Sequence, residues 1–439
     1  MDLKETVIQF GEGNFLRGFA DYFLHILNES GAYDGKAVIV QPRIGGKVAG
    51  LNAQKCKYNL YLRGIKDFQI ISNHHLIESV SRCVDPYKDF EKFIELALNP
   101  DFRFIISNTT EAGIEFDSTC KFTDTPCVSF PGKLTQLLYK RFESGLSGFI
   151  LLPCELIDNN GDALKECVQK YADLWNLGND FKKWLENENT FANTLVDRIV
   201  TGYPKDETAS LHPDDIYLDT AELFHLWVIE GNFEDELPLQ KAGFNVIWTD
   251  DVKPYKKTKV RILNGAHTSI VLGAILGGLE TVGECMTDDT VSAFLNKCMT
   301  EEILPTIGES ESNVKFAADV FDRFRNPFIK HQLRAIALNS ISKFSVRVLP
   351  TLLEYKEKFD TYPEGLTMSL AFLIYFYKND VTDDSDKEAM EFIKKESIND
   401  ILSNVDIWQT DLSPLTDTVN DYYEKIAQCG AKEAMKWIL

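Results

Sequence analysis

The sequence predicts an α/β protein that begins with a doubly wound parallel sheet and continues into a mostly helical second domain. In the first half, short apolar runs alternate with stretches of helical periodicity. Such strand–helix alternation is typical of a parallel sheet with helices on both faces. After residue 248, strand-like runs nearly vanish and long amphipathic stretches follow. A glycine-rich turn directly after the first apolar run is the third observation, because it lets a strand pass at once into a helix.

The predicted strands of the first half are short, rich in β-branched or aromatic residues, and apolar on both faces, as buried parallel strands are. They are residues 7–10, 37–40, 102–106 and 149–152. The periodicity of apolar residues between them predicts helices. These are residues 15–27, 86–98 and 131–142.

The second half is predicted to be mostly helical. Its amphipathic stretches are residues 254–276, 290–302, 326–341, 346–358 and 366–377. A chain of 439 residues is too long for one compact core, so we expect two domains. The change of pattern places their boundary near residue 250, with 1–249 as the sheet domain and 250–439 as the helical domain.

Acidic residues clearly outnumber basic ones, since 67 Asp and Glu stand against 46 Lys and Arg, for a net charge of −21. A surface of this charge repels phosphate backbones and anionic lipids, so nucleic acids and membranes are excluded as partners. A small anionic ligand would need a site that is locally basic or rich in backbone N–H groups.

The nine cysteines include no Cys-x-x-Cys pair and no metal-ligand spacing, which indicates reduced thiols. A strand-like run begins at residue 7, and no apolar run approaches the roughly 18 residues of a membrane-spanning helix. We therefore expect a cytoplasmic protein. A monomer and a homodimer both fit the sequence.

The turn after the first predicted strand contains Gly11 and Gly13 and leads into a helix that begins near Asn14 and Phe15. Glycines let the backbone approach a pyrophosphate closely, as in Rossmann-like dinucleotide domains. The pattern departs from Gly-x-Gly-x-x-Gly, because Leu16 occupies the third glycine position. A tight turn without a ligand is the alternative, but the position after strand 1 favours a dinucleotide.

Two further loops are expected at the same edge of the sheet, where ligands of open α/β sheets bind. One follows the third predicted strand and contains Asn108, Thr109 and Glu111, and the other begins at residue 153. They are candidate walls of a nicotinamide pocket, although ordinary loop caps explain any single residue equally well. The second strand leads into Gln41 and Arg43 instead of an acidic residue, which leaves NAD and NADP open.

The strongest chemical signal is a helical stretch that carries Lys259, Asn264, Gly265 and His267. On a regular α-helix, Lys259, Asn264 and His267 fall within an arc of about 140°, so they could share one cleft. Gly265 would permit the close approach of a flat ring. Each residue alone is weak evidence for catalysis, since a lysine on an amphipathic helix is usually solvated and a lone histidine usually belongs to the core or the surface.

Reduction of a carbonyl by hydride needs a proton donor, groups that polarise the carbonyl oxygen, and contacts that hold the substrate. A lysine whose pKa is lowered in a closed cleft can act as the acid in reduction and the base in oxidation. An asparagine amide can donate a hydrogen bond to the oxygen without titrating. A histidine can bind the substrate hydroxyls.

The spacing Lys-x4-Asn-x2-His resembles the mannitol dehydrogenase family of long-chain polyol and sugar-acid dehydrogenases. Residues 193–199 resemble its Asn-x3-Asp-Arg-Ile segment, and residues 323–327 and 349–350 resemble its helical-domain signature. Several segments are most similar to members that act on hexuronates, and the resemblance covers nearly the whole chain. These segments are residues 9–17, 107–114, 153–158, 262–267 and 326–333.

The resemblance implies reversible hydride transfer with NAD, without a metal, between D-tagaturonate and D-altronate. It implies Lys259 as general acid and base, His267 as a substrate-orienting residue, and Asn264 and Asn193 as oxyanion donors. The implied cofactor-binding residues are Gly11, Gly13, Asn14, Phe15, Arg17, Asn108, Thr109 and Glu111. The implied substrate-binding residues are Lys343, His331 and Asp197.

Two departures from the polyol enzymes bear on the substrate. In those enzymes an arginine precedes a substrate-binding lysine by eight residues; Lys343 matches the lysine, but Ala335 holds the arginine position and Arg334 is adjacent. An acidic residue three positions before the catalytic lysine is replaced by Lys256. Both changes put a plain polyol substrate in doubt. An extra cation near the cleft would suit a carboxylate; the alternative is that Lys256 is a flexible surface lysine.

Several cations could hold a substrate carboxylate, and the sequence does not choose among Lys343, His331, Lys330 and Arg63. The alternative substrates are fructuronate, mannitol and mannitol 1-phosphate. The alternative from another class of protein is a nucleotide-binding sensor without catalytic activity.

Overall fold

The computed structural model describes residues 3–67, 69–205, 207, 211–380 and 384–439. The chain divides into two compact units. The first unit runs to Arg63 and continues from Ile70 to Lys253, and the second comprises Gly64–Gln69 and Pro254–Leu439.

The first unit is built around strands. They are β1 (Lys4–Phe10), β2 (Gly35–Val40), β3 (Tyr58–Lys66), β4 (Gln69–Ile77), β5 (Val80–Val84), β6 (Phe104–Ser107), β7 (Ile150–Pro153), β8 (Thr190–Phe191), β9 (Thr194–Asp197), β10 (Asp219–Glu222), β11 (Leu226–Glu230) and β12 (Val246–Thr249).

A six-stranded parallel sheet has the order β5-β2-β1-β6-β7-β8. Ile8 of β1 lies between Val38 of β2 and Ile105 of β6. Alternate residues of β1 enter separate apolar clusters, Val7 packing with the Phe19 cluster and Ile8 with the Phe93 cluster. The sheet is therefore buried on both faces, and the predicted doubly wound, Rossmann-like parallel sheet is confirmed. Two three-stranded sheets, β10-β3-β4 and β12-β11-β9, accompany it.

The helices of the first unit are α1 (Asn14–Arg17), α2 (Ala20–Glu29), α3 (Val48–Ala53), α4 (Phe90–Glu95), α5 (Phe130–Glu143), α6 (Asn160–Leu174) and α7 (Asn179–Glu188). The single helix predicted over residues 15–27 is wrong, because the chain breaks between α1 and α2. Phe19 has φ −127° and ψ −85°, and a Cβ at Gly18 would lie 3.0 Å from Val200. Tertiary packing at Gly18 thus overrides the helical periodicity.

The second unit is mostly helical. Its helices are α8 (Lys253–Lys259), α9 (Gly265–Leu276), α10 (Val282–Thr287), α11 (Asp289–Lys297), α12 (Leu304–Ile307), α13 (Glu311–Phe324), α14 (Leu333–Ala337), α15 (Ser340–Arg347), α16 (Leu349–Phe359), α17 (Glu364–Asn379), α18 (Lys387–Lys395), α19 (Ile398–Ser403), α20 (Val405–Trp408), α21 (Thr416–Cys429) and α22 (Ala431–Lys436). The predicted mostly helical second half is confirmed.

The helix predicted over residues 326–341 is wrong for its first part. Pro327 disfavours helical backbone at Asn326, and the Asn326 side chain accepts a hydrogen bond from the Phe328 N–H at 3.0 Å. The chain becomes helical only in α14 and again in α15, after Asn339 with φ +58°. The predicted helix therefore corresponds to a turn followed by two short helices.

The core of the second unit lies around α9 and α17. Ser369 of α17 donates to the carbonyl of Ser269 on α9 at 2.7 Å, and a Cβ at Gly273 would lie 2.7 Å from Phe372. This close packing buries α17 on most sides, as expected of a helix that is apolar around its circumference. Within the described ranges, no helix combines the length and the apolarity that crossing a membrane requires.

Candidate active site

A cleft of about 720 Å³ opens at the carboxyl edge of the six-stranded sheet. Its walls are the loops after β1, β2 and β6. Because β1 lies between β2 and β6, the cleft occupies the topological switch point of the sheet, where nucleotides bind in this architecture. The lining includes Gly11, Glu12, Gly13, Asn14, Phe15, Pro42, Arg43, Asn108, Thr109, Thr110, Ala112 and Gly113.

Gly11 and Gly13 shape the floor of this cleft in different ways. Gly11 has φ +127°, and a Cβ there would lie 2.7 Å from the Asn108 carbonyl, so only glycine fits between β1 and the loop after β6. A Cβ at Gly13 would meet none of the described residues within 4 Å. Gly13 therefore leaves open space on the cleft side of the turn, where a ligand could approach the backbone.

Arg17, which the resemblance implied as a cofactor ligand, lies inside the unit and not among the residues that line the cleft. Its buried guanidinium donates to the Tyr217 carbonyl and to Asn14 Oδ1 and lies 3.6 Å from the Asp219 carboxylate. Both terminal nitrogens are thus used in internal contacts. Arg17 therefore stabilises the glycine turn from the interior of the unit, on the side away from the cleft.

The loop after β6 is held by Glu155, which belongs to the loop that follows β7. The Glu155 carboxylate accepts hydrogen bonds from the Thr109 N–H at 2.9 Å, the Thr109 hydroxyl at 3.0 Å and the Ser107 hydroxyl at 3.0 Å. Burial raises the pKa of Glu155, while these hydrogen bonds oppose that shift. Asn108 and Thr109 line the cleft, whereas Glu111 is exposed and does not.

Asn193, the implied second oxyanion donor, is engaged inside the first unit. Its amide donates to Asp162 Oδ2 at 3.0 Å and to Glu230 Oε2 at 2.8 Å, and its Oδ1 accepts from the Asp162 N–H at 3.0 Å. A side-chain amide has two N–H donors, and both are used. In this conformation Asn193 has no hydrogen left for a substrate, so the implied oxyanion role is not supported by its geometry.

In the second unit, the stretch that carries Lys259, Asn264 and His267 is not a regular α-helix. Lys259 ends α8, residues Val260–Asn264 form a π-helical segment, and α9 follows. A π turn accommodates about one extra residue, which sets every later side chain back by about 100°. The arc that contains Lys259, Asn264 and His267, about 140° on a regular α-helix, thereby narrows to about 60°. Wide turns of this kind are frequent at functional sites.

Asn264 and Gly265 stand where the π segment meets α9. The Asn264 amide is partly exposed and makes no hydrogen bond to any residue in the described part of the chain. A Cβ at Gly265 would lie 3.2 Å from the Arg347 carbonyl. The sequence suggested that Gly265 makes room for a flat ring. In the structure, the missing side chain also makes room for the backbone at the end of α15.

His267 is held by aromatic contacts. Its ring stacks on Phe324 with centroids 4.1 Å apart and meets His331 edge-on at 5.7 Å. Burial pulls the pKa of His267 well below its usual value, and the charges of neighbouring basic groups act in the same direction. Its shielded Nε2 has no hydrogen-bond partner among the described residues. The imidazole is thus neutral at neutral pH and able to bind a hydroxyl.

The predicted carboxylate-binding cations differ in their surroundings. Lys343 is half-buried near His267, and its Nζ donates to the Ile336 carbonyl at 2.8 Å. His331 lies beside His267 as well, whereas Lys330 is exposed. Arg63 pairs with Glu207 at 2.8 Å in the sheet unit.

Asp197, the remaining implied substrate ligand, is buried at the end of β9 in the first unit. Within the second unit the structure thus brings together His267, His331 and Lys343. Within the first unit it brings Gly11, Gly13, Asn14, Phe15, Asn108 and Thr109 to one cleft.

Both units match known protein families. Residues 5–241 match the mannitol dehydrogenase Rossmann domain, and residues 251–429 match the mannitol dehydrogenase C-terminal domain. Among solved structures, a D-sorbitol dehydrogenase in substrate-free form superposes with a TM-score of 0.88 at 23% identity, covering 99% of this chain and 95% of that one. A Pseudomonas fluorescens mannitol 2-dehydrogenase in ternary complex with NAD and D-mannitol gives a TM-score of 0.72 at 22% identity, covering 100% and 94%.

Sequence relatives are more similar still. Altronate oxidoreductases from Klebsiella pneumoniae and Bacillus subtilis are each 42% identical over 98% of this chain, covering 96% and 95% of their own lengths. One from Escherichia coli is 43% identical over 98% of this chain and 96% of its own length. The glycine turn, the parallel sheet, the helical second unit and these matches agree, and the chain belongs to the mannitol dehydrogenase family.

Proposed function

We propose that this chain interconverts D-tagaturonate and D-altronate by hydride transfer with NAD. The observation that carries the proposal is the identity of 42–43% to altronate oxidoreductases over 98% of the chain. The match extends over both units, so it includes the cleft at the sheet and the π-helical segment. The sugar substrate in the related mannitol 2-dehydrogenase complex supports a small polyhydroxylated ligand.

The cleft of the first unit suits NAD. Gly11 and Gly13 leave two positions of the turn after β1 without a side chain, and Asn108 and Thr109 add polar groups at the carboxyl end of β6. When bound there, NAD supplies the hydride acceptor for oxidation, and NADH supplies the hydride for reduction. Arg43 is exposed at the rim of the cleft, so NADPH is the alternative cofactor to be compared.

The second unit supplies the proton chemistry in this proposal. Lys259 gives a proton to the carbonyl oxygen of the keto acid in reduction and takes it from the hydroxyl in oxidation. Asn264, whose amide has no partner among the described residues, donates a hydrogen bond to the same oxygen as negative charge develops. The neutral imidazole of His267 binds a neighbouring hydroxyl. The π-helical segment supports this arrangement, because the extra residue of a π turn brings the three side chains closer to one face than a regular α-helix would.

We propose that no metal takes part, since Lys259 and Asn264 together provide proton transfer and polarisation of the carbonyl. The side chains of His25, Glu29 and His75 could hold a metal ion, because their ligand atoms lie within 4.8 Å of one another. They belong to the end of α2 and to β4, however, and α2 runs back from the carboxyl edge of the sheet. A metal bound there would be remote from the cleft.

The test is an NADH-oxidation assay with D-tagaturonate, D-fructuronate, D-fructose and fructose 6-phosphate, repeated with NADPH and after treatment with EDTA. We expect the highest kcat/KM with D-tagaturonate and NADH, and no loss of activity with EDTA. A preference for fructuronate would reassign the substrate within the family. Loss of activity with the chelator would contradict the metal-free mechanism.

We also infer a cytoplasmic location, which is supported by the nine free cysteines, eight of them buried. For the assembly we infer a monomer or a homodimer. Light scattering coupled to size-exclusion chromatography separates these two states from larger oligomers.

A further inference from the structure

Most arginines of the second unit whose contacts are described have an acidic partner. Arg261 donates to Glu354 at 2.8 Å and to Thr351 at 2.6 Å. Arg334 donates to Asp380 at 2.9 Å. Arg325 lies 3.7 Å from Asp322. Because the chain is strongly acidic, such partners are abundant, and an arginine without one stands out.

Arg347 is such a residue. It is the last residue of α15 and is half-buried, yet its guanidinium makes no hydrogen bond or ion pair with any residue in the described ranges. Burial lowers the pKa of Arg347, and no acidic neighbour from the described residues offsets that shift. A half-buried cation left in this state is costly unless a ligand compensates it.

The position of Arg347 is set by backbone packing against the π-helical stretch. Its carbonyl oxygen lies 3.2 Å from where a Cβ of Gly265 would be, and Gly265 stands between Asn264 and His267. The end of α15 is thereby held next to the residues proposed to act on the substrate. A larger residue at position 265 would push this contact apart.

The groups around Arg347 are basic or neutral. Lys343 precedes Arg347 by one helical turn. The charges of both residues lower the pKa of His267, as do those of Arg323 and His331. Two acidic residues act on members of this cluster, Asp384 on Lys343 and Asp319 on Arg323, whereas no acidic residue within the described ranges acts on Arg347. In a chain of net charge −21, this cluster is a local site for a small anion.

We propose that Arg347 binds the carboxylate of the sugar-acid substrate, and this assignment rests on the proposed function. The planar guanidinium can donate two parallel hydrogen bonds to a carboxylate, whereas a lysine acts as a point charge. Lys343 is the weaker choice, because its Nζ already donates to the Ile336 carbonyl. In D-tagaturonate the carboxylate and the reducible carbonyl lie toward opposite ends of the carbon chain, so separate residues must hold them.

Arg347 also accounts for a departure noted in the sequence. The position that holds an arginine in polyol enzymes is Ala335, which is exposed, and the adjacent Arg334 is paired with Asp380. Neither can take over a substrate contact in this conformation. Arg347 lies one helical turn after Lys343 and supplies a guanidinium to the same cluster.

The test compares an acidic substrate with a neutral one. D-Tagaturonate and the ketohexose that carries a hydroxymethyl group in place of its carboxylate are assayed with wild-type protein, Arg347→Met, Arg347→Lys and the control Arg334→Met. For Arg347→Met we expect KM for D-tagaturonate to rise about 10- to 100-fold with little change in kcat, because a charge-assisted pair is lost. Kinetics with the neutral ketohexose should stay within about twofold of wild type, Arg347→Lys should be intermediate, and Arg334→Met should match wild type.

Binding of D-altronate by calorimetry provides a readout without turnover, and Arg347→Met should weaken it by the same factor. An equal loss on the acid and the neutral ketohexose would show a structural role and overturn the assignment, as would unchanged KM and unchanged binding. Wild-type protein that binds D-altronate but does not reduce D-tagaturonate would overturn the proposed function, and Arg347 would then be judged by the binding result. Failure of the wild type to bind D-altronate would overturn both.

Discussion

Asn193 in the sheet unit and Asn264 in the helical unit have the same side chain and opposite environments. The Asn193 amide is buried and donates both hydrogens, to Asp162 and Glu230. The Asn264 amide makes no hydrogen bond to the residues that the structure describes. A buried polar group is normally satisfied, as Asn193 is, whereas the donors of Asn264 are not used by any described residue, as the proposed contact with the substrate requires.

Two histidines repeat this contrast. His225 of the sheet unit accepts a hydrogen bond at Nε2 from the Asn245 N–H at 3.0 Å and approaches the Leu223 carbonyl with Nδ1 at 3.4 Å. His267 of the helical unit has a shielded Nε2 with no partner among the described residues. In these two pairs, the side chain of the sheet unit is used in internal hydrogen bonds, whereas Asn264 and His267 Nε2 of the helical unit have no partner among the described residues.

The largest expected effect is that of Lys259→Ala, which tests whether the helical segment that carries Lys259, Asn264 and His267 is catalytic. Loss of the general acid should lower kcat by as much as about 10⁴-fold, with NADH affinity unchanged because the cofactor cleft belongs to the other unit. Steady-state kinetics and NADH fluorescence titration measure the two quantities. The control is Lys257→Ala, which removes an exposed ion pair with Glu354 of little energetic weight. A large loss of NADH affinity in Lys259→Ala would refute the assigned role.

Asn264→Ala tests the uncommitted amide directly. Removing one oxyanion donor should lower kcat by about 10²- to 10³-fold, and thermal stability should hardly change because no bond to a described residue is lost. Stopped-flow NADH oxidation and differential scanning calorimetry provide the measurements. If the melting temperature fell sharply while kcat stayed near wild type, the amide would be structural.

Asn193→Ala is the matched substitution in the sheet unit and should give the reverse result. It leaves Asp162 and Glu230 without their partner, so the free energy of unfolding should fall by about 1–3 kcal/mol. The effect on kcat should be smaller than that of Asn264→Ala, which the same two measurements decide. A loss of kcat equal to that of Asn264→Ala, at unchanged stability, would restore Asn193 as an oxyanion donor and remove the contrast between the units.

The smallest expected effect at neutral pH concerns His225, because its protonation changes stability only in acid. Burial lowers the pKa of His225 to about 4, below the value of about 6.5 in the unfolded chain. The unfolded state therefore binds a proton first, and the free energy of unfolding falls as the pH drops from about 6.5 to about 4, by about 3 kcal/mol at most. Urea unfolding of His225→Gln should lack this part of the pH dependence, and His212→Gln serves as control. If the free energy of unfolding depended on pH in the same way in wild type and His225→Gln, this prediction would be contradicted.

The four central strands of the six-stranded sheet, β2, β1, β6 and β7, were predictable because their signals are local. Strands buried on both faces must be apolar throughout, and the turn at Gly11 requires a residue that tolerates φ +127°. The break at Gly18 was missed because contact with Val200 causes it, and periodicity carries no information about a partner so distant in sequence. The turn at Asn326 was missed although Pro327 follows it, since the apolar pattern outweighed the proline.

In the candidate site, residue types and spacing were sufficient to select Lys259, Asn264 and His267. They did not predict the angles between these side chains around the helix axis. The π-helical segment Val260–Asn264 depends on hydrogen bonds one residue longer than those of an α-helix, which the spacing of side chains does not encode. For Arg17 and Asn193, the sequence predicted a ligand-binding role but could not show which internal contacts their side chains make. Both belong to segments that resemble the family, yet their side chains are used inside the fold.

The order of residues alone was sufficient for the parallel sheet, the glycine turn at its switch point, the helical second half and the family resemblance, because these follow from local periodicity and short motifs. Only the folded chain decided which polar groups remain available. Hydrogen bonds use both terminal nitrogens of Arg17 and both amide hydrogens of Asn193 inside the sheet unit. The same packing leaves Asn264 and Arg347 without partners among the described residues, since a side chain is free only when no group elsewhere in the fold reaches it.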